Sequence, residues 1–211
     1  NPEKRELYVN LFVSNETTLD WAGSEVSVKL ETRFPWVNSY KIELENIPAD
    51  GLDLLLRVPD YAGNYQVMID GISCTKAQTT EKGYCRVHVE KDAKLQVSFD
   101  APAHFVYANP QVRSDSGKTA IVRGPLVYCL EEIDNGQNLP AIFVDTKSPL
   151  VEKKSDLFGG IVAIEAEGKR IVESGLSEEL YSDQEPVLES TKLTAIPYPY
   201  WNNRGEGEML V

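Results

Sequence analysis

The 211 residues, 42% of them hydrophobic, can fill one large core or two small ones, which excludes a disordered chain. With 33 acidic against 21 basic side chains, the net charge of −12 repels a phosphate backbone, and no Lys/Arg-rich run reverses that field locally, so nucleic acid is excluded as a partner. No stretch approaches the ~20 apolar residues of a membrane span, and Asn1-Pro2-Glu3-Lys4-Arg5 lacks the apolar centre of a signal peptide and opens as running sequence, as an excised or processed piece would.

Period-two alternation dominates the first hundred residues and predicts half-buried strands. Leu7, Val9, Leu11 and Val13 share one face, followed by Val26, Val28 and Leu30, then Ile42 and Leu44. The pattern continues through Leu52, Leu54, Leu56 and Val58; Tyr65, Val67 and Ile69; Cys85, Val87 and Val89; and Leu95, Val97 and Phe99. Seven strands of this kind predict a sandwich. Pro35, Pro48, Pro59, Asp70-Gly71 and Lys91-Asp92 fall between the runs, where turn residues belong.

The alternation lapses around Ala101-Pro102-Ala103-His104, which marks a subdomain boundary. A second series follows: Thr119–Val122, Leu126–Leu130, Ile142–Val144, Ile161–Glu165, Leu193–Ile196 and Met209–Val211. The polar stretches Thr146–Ser155 and Glu173–Glu189 read as surface loops with one short helical turn. The fold expected is all-β: two packed antiparallel β-sandwiches, jelly-roll-like, over residues 1–102 and 103–211.

Chemistry-bearing residues are sparse. Glu131-Glu132 is an adjacent carboxylate pair, but neighbours on a strand point to opposite faces and cannot flank one glycosidic bond, so a solvated strand end is the expectation. His88 and His104 lie on separate segments without metal-site spacing, and Asp100 and Asp115 lie near the predicted boundary without any sign that they converge. Cys74, Cys85 and Cys129 contain no Cys-x-x-Cys pair; Cys74 and Cys85 flank one turn region and read either as a disulfide or as two buried thiols. A zinc site from all three would need three separate strands with no close-spaced pair to anchor it, so no metal or other cofactor is expected in this chain. The remaining signal is aromatic. Tyr198, Tyr200, Trp201 and Arg204, within Pro197-Tyr198-Pro199-Tyr200-Trp201-Asn202-Asn203-Arg204-Gly205, combine flat rings with a guanidinium donor, the ingredients of a carbohydrate-binding surface or of a domain interface. Trp21, Trp36 and Tyr61 add rings near predicted loops.

Several segments taken together resemble glycoside hydrolase family 127, the β-L-arabinofuranosidase family. They are Leu7-Tyr8-Val9-Asn10-Leu11-Phe12-Val13, Glu31-Thr32-Arg33-Phe34-Pro35-Trp36, Leu56-Arg57-Val58-Pro59, and Arg123-Gly124-Pro125-Leu126-Val127-Tyr128-Cys129-Leu130-Glu131 followed by Asp134-Asn135. Leu157-Phe158-Gly159-Gly160-Ile161-Val162 and the terminal run from Ile196 to Met209 agree in order and spacing. Glu90-Lys91-Asp92-Ala93-Lys94 departs from the family, which usually has a Trp and a Gly-Asp turn there. The resemblance implies an (α/α)6 barrel preceding this chain, carrying a zinc-bound cysteine nucleophile and the sugar-contacting residues; none of those motifs occurs here, and no catalytic residue is carried over. It further implies a non-catalytic carboxy-terminal module that braces the barrel, its partner within the same polypeptide.

Three function classes follow. An accessory module predicts an apolar docking patch, with homodimerisation through it in the isolated chain. A glycan-binding module predicts an exposed aromatic platform. A self-sufficient glycosidase requires converging carboxylates, which strand alternation does not supply. Enzymes that trim polymeric glycans often work outside the cytoplasm, which makes the whole enzyme a candidate for export to the periplasm or medium.

Overall fold

The structure, a computed structural model, describes residues 1–21, 23–75, 77–79, 82–172 and 181–211. The chain divides into two compact units, Asn1–Ala101 and Pro102–Val211. It is all-β, and among the described residues no helix is long and apolar enough to cross a membrane.

The first unit holds β1 (Glu6–Val9), β2 (Asn15–Trp21), β3 (Ser24–Thr32), β4 (Ser39–Glu45), β5 (Leu52–Arg57), β6 (Gly63–Ile69), β7 (Ile72–Ser73), β8 (Gln78–Thr79), β9 (Tyr84–Val89) and β10 (Ala93–Asp100). They form two sheets, ordered β1-β5-β9-β8 and β2-β3-β4-β10-β6-β7. The alternation in sequence is the cause of the sandwich. Leu52, Leu54 and Leu56 pair in register with Val89, Val87 and Cys85 and bury one face of the first sheet. Val28, Leu30, Ile42, Leu44, Leu95 and Val97 do the same for the second, and one core cluster joins both sets. Tyr40, fully enclosed there, satisfies its hydroxyl against the Tyr65 hydroxyl at 2.7 Å, and Tyr65 donates on to the Arg57 carbonyl. β1 and β5 pair in parallel, which the intervening β2, β3 and β4 make possible as a long crossover.

Two expectations need correction in this unit. The alternation Leu7, Val9, Leu11, Val13 does not continue as one strand: β1 ends at Val9 with its pairing to β5, the chain crosses to the other sheet, and Phe12 is buried while Leu11 and Val13 face outward. The polar stretch of β2, passed over in the count of seven strands, pairs along its whole length with β3 as an edge. Of the two readings open for Cys74 and Cys85, the structure has the thiols: both are free, Cys85 buried and Cys74 partly so.

The second unit holds β11 (Ala103–Tyr107), β12 (Thr119–Arg123), β13 (Leu126–Glu131), α1 (Glu132–Asn135), β14 (Ile142–Val144), β15 (Val151–Ser155), β16 (Ile161–Val172), β17 (Val187–Pro197) and β18 (Met209–Leu210). The sheet order is β11-β12-β13-β17-β16-β14, with β15 added to β16 and β18 to β13. β13 is the corner: Leu126 and Val127 pair with β12, while Tyr128 to Leu130 pair with β17. The sheet closes over its own apolar face. Glu152 of β15 accepts from the Ala103 amide at 2.9 Å and from Arg123 Nε at 2.8 Å, tying one margin to the other, and Tyr128 donates across to the Val162 carbonyl at 2.9 Å. The stretch Thr146–Ser155, expected as a loop, contains β15, whose polar side chains are compatible with a strand because it lies at the sheet margin. Of the other expected loop, Glu173–Glu189, residues 173–180 lie outside the described residues, and its last three belong to β17.

Candidate functional site

The carboxy-terminal aromatic segment is fastened before it presents anything. β17 ends at Pro197, and Tyr198–Tyr200 form one 3-10 turn closed by the Trp201 amide on the Tyr198 carbonyl at 3.0 Å. Asn202, at φ +62°, directs its amide to Glu131 Oε1 at 2.8 Å. Arg204 donates from Nε to Glu131 Oε2 at 3.1 Å and from Nη1 to Asp134 Oδ1 at 2.9 Å, and its Nη2 contacts both carboxylates. Asp134 and Glu131 together hold the guanidinium pKa above its already high ordinary value, against the opposing effect of burial. Glu131 is only 5% exposed, so it is no solvated strand end; an apolar strand carries it inward and Arg204 neutralises it there. Glu132 points elsewhere, accepting from the Glu208 amide at 2.9 Å.

That fastening divides the four residues nominated from sequence. Tyr198 and Trp201 are 44% and 40% exposed and lie nearly parallel, their centroids 6.2 Å apart. Tyr200 turns inward and stacks on Phe158 at 4.5 Å, both packed against the cluster of Cys129, Ile161 and Ile196. Arg204 is occupied by Glu131 and Asp134. The exposed part is therefore a two-ring ledge, and neither ring lines the hollow of about 240 Å³ bordered by Glu132, Gln137, Arg204 and Glu206. A ledge of this kind can hold the apolar face of a sugar ring but supplies no pair of carboxylates facing one bond.

Sequence reasoning passed over a second polar cluster, on the outer face of β1, β5 and β9. Register places Glu6 beside Asp53 and Asp53 beside His88. Arg86 reaches Asp53 Oδ2 at 2.7 Å and Glu6 Oε1 at 2.8 Å, and His88 Nδ1 lies 2.8 Å from Asp53 Oδ1. Burial pushes the Asp53 carboxyl up, but the hydrogen bonds from His88 and Arg86 outweigh it and hold the group below its ordinary value. Asp53, Arg86 and His88 border an open hollow of about 840 Å³ that also touches Cys74. Alternation alone signals that 53, 86 and 88 face outward; their adjacency depends on register, which the sequence does not print.

The other nominated residues are dispersed. His104 lies 3.1 Å from the Pro102 carbonyl, Asp100 accepts from Asn64, and Asp115 sits in a short 3-10 turn. Trp21 belongs to the core, and Tyr61 packs toward Phe99. Cys85 and Cys129 are buried, and burial pushes each thiol up to about 11, which disfavours the thiolate needed for a nucleophile or a zinc ligand. Cys74 and Cys85 belong to the first unit and Cys129 to the second. Among the described residues no group of three His, Cys, Asp or Glu side chains is placed to hold a metal.

Comparison with known proteins covers nearly the whole chain. Residues 6–103 match the model of the β-L-arabinofuranosidase GH127 middle domain, and residues 103–211 match that of the glycoside hydrolase family 127 C-terminal domain. A non-reducing end β-L-arabinofuranosidase of Bifidobacterium longum subsp. longum is 30% identical over 211 residues, covering 95% of this chain and 32% of that protein. A GH127 β-L-arabinofuranosidase from Geobacillus stearothermophilus T6 superposes with a TM-score of 0.86 at 35% identity, covering 99% of this chain and 33% of that one. A GH127 β-arabinofuranosidase superposes at 0.79 with 27% identity, covering 99% and 34%. The chain thus spans about a third of the length of the relatives it matches. Its two units correspond to the middle and C-terminal domains of those relatives, and the chain belongs to glycoside hydrolase family 127.

Proposed function

We propose that this chain is the non-catalytic accessory part of a glycoside hydrolase that removes L-arabinofuranose or a related sugar from plant-type glycans. On this reading an (α/α)6 barrel elsewhere in the same polypeptide does the chemistry, with any zinc held there, and the two sandwiches brace it by burying apolar barrel surface. The observation that carries it is the pair of family matches, middle and C-terminal, which tile residues 6–211 and leave the remaining two-thirds of the relatives' length to other parts of the protein. The chemistry of the chain agrees: the enclosed carboxylate Glu131 is neutralised by Arg204, and the thiols of Cys85 and Cys129 are held protonated. The test is hydrolysis of an aryl β-L-arabinofuranoside, with zinc and reductant, by the 211-residue chain and by the same chain extended upstream to include the barrel. Turnover in the extended protein alone supports the accessory role; turnover by residues 1–211 overturns it.

One observation favours a second reading. The Tyr198–Trp201 ledge is exposed, flat and fixed in place, which suits a glycan-binding surface on the second unit.

A further inference from the structure

We propose that two adjoining loops of the first unit, residues 10–14 and 33–38, form the surface on which the preceding catalytic portion of the polypeptide docks. The proposal rests on the accessory reading above and names its contact. Leu11, Val13 and Val37 are 68%, 59% and 41% exposed. None of the three lies in a strand, so no sheet pairing dictates an apolar residue there, and loops of this kind are ordinarily polar. Single exposed aliphatics are common on protein surfaces, but these three stand on two loops joined through the contact of Phe12 with Phe34.

The loops are held firmly from beneath. Between Leu11 and Val13, the ring of Phe12 is buried, stacking on Tyr40 at 4.6 Å and meeting Phe34 edge-on at 5.1 Å. Ser14 Oγ donates to the Thr32 carbonyl at 3.0 Å and accepts from the Thr32 amide at 2.9 Å. The Trp36 and Val37 amides return to the Arg33 carbonyl, and the Phe99 amide donates to the Asn38 carbonyl at 3.0 Å. Apolar side chains presented on so fixed a base lose little conformational freedom when a partner covers them, which favours a standing contact.

The occupant follows from chain order. Residues 6–103 match a middle domain and residues 103–211 a C-terminal one, so in this family the bulk of the polypeptide precedes β1. Leu11 is ten residues beyond Asn1, the first residue of this chain, a reach of at most about 36 Å. A domain tethered that close meets the patch at high effective concentration, and a modest apolar area suffices to hold it.

The test uses the polypeptide extended upstream to include the barrel. Leu11→Glu combined with Val37→Glu is compared with Ile72→Glu, at a position more exposed than either on a different turn of the same unit. The double variant is expected to lower the melting temperature of the extended protein by roughly 4 °C or more and to speed proteolytic separation of the barrel, while Ile72→Glu leaves both unchanged. In the 211-residue chain itself the same double variant should melt as wild type, since both residues are exposed there; a drop in that chain would mean that the patch serves internal packing, and would overturn the proposal. If deletion of residues 1–211 destabilises the barrel but the double variant does not, the docking surface lies elsewhere and the accessory reading stands. If the deletion leaves the barrel's stability and activity intact, the bracing reading fails and this proposal with it. A change in oligomeric state alone, read by light scattering, would assign the patch to a second copy and likewise overturn it.

Discussion

Arg204 sits over the Glu131 carboxylate 73 residues earlier in the chain, with Nε 3.1 Å from Oε2 and both side chains largely withdrawn from water. Together with the Asn202 amide on the other carboxylate oxygen, this contact holds the turn that carries Tyr198 and Trp201. Removing one partner of an enclosed ion pair leaves a charge that water cannot reach. Arg204→Ala is therefore expected to cost about 3–5 kcal/mol in urea unfolding. Glu131→Gln, which keeps an acceptor for Asn202 and leaves Asp134 to pair with Arg204, should cost clearly less. An Arg204→Ala loss below about 1 kcal/mol would mean that the pair behaves as a surface contact and does not fasten the segment.

The same pair marks where the sequence stops being readable. Val26 to Leu30, Leu52 to Leu56, Cys85 to Val89 and Leu95 to Phe99 announce their strands because each buries one face against the other sheet, and burial on one face is what alternation encodes. β2 and β15 escape that logic: they lie at sheet margins, where Asn15-Glu16-Thr17-Thr18 and Glu152-Lys153-Lys154 remain solvated on both faces. Leu11 and Val13 fail in the opposite sense, continuing an alternation after its pairing partner has ended. The aromatic segment is visible as composition, but its division into an outward ledge and an inward Tyr200 depends on Phe158 and Glu131, which no local pattern connects to it.

The cluster on the outer face of the first unit predicts an acid dependence of stability. The Asp53 carboxyl titrates below its ordinary value of 3.8 in the folded chain because His88 and Arg86 bond its ionised form more than burial disfavours it. The unfolded chain then takes up this proton first as pH falls. Asp53 contributes stability that is fully present above pH ~4 and is lost as pH drops through the lower folded value. Urea midpoints between about pH 5 and 2 should therefore fall less steeply for Asp53→Asn than for wild type. Parallel curves for the two proteins would show that the network adds nothing to folding.

The thiols provide a chemical check on the proposed non-catalytic role. With Cys85 and Cys129 pushed up to about 11 by burial, roughly one part in a thousand of each is thiolate at pH 8 even before access is considered. Cys74 is only half-buried. Under native conditions iodoacetamide should label Cys74 first, and Cys85 and Cys129 should react only after denaturation, as read by intact mass and peptide mapping. Rapid native labelling of Cys129 would show an activated thiol in the second unit and would revive it as a reactive group.

The Tyr198–Trp201 ledge can be separated from a purely structural aromatic patch because its two rings do not carry the fold. Both are about two-fifths exposed, whereas Tyr200 and Phe158 cover the Cys129 cluster. A stacked aromatic contact is worth about 0.5–1.5 kcal/mol, up to a tenfold change in affinity. Trp201→Ala should leave the melting temperature within about 1–2 °C of wild type and weaken binding of an arabinose oligosaccharide several-fold, measured by calorimetry on the 211-residue chain. Tyr200→Ala should instead lower the melting temperature, because it strips the cover from Cys129 and Ile196. If the wild-type chain binds the oligosaccharide and Trp201→Ala leaves that affinity unchanged, the ledge is not the sugar site. If the wild type shows no binding at all, the glycan reading is lost and the exposed rings become candidates for a protein contact.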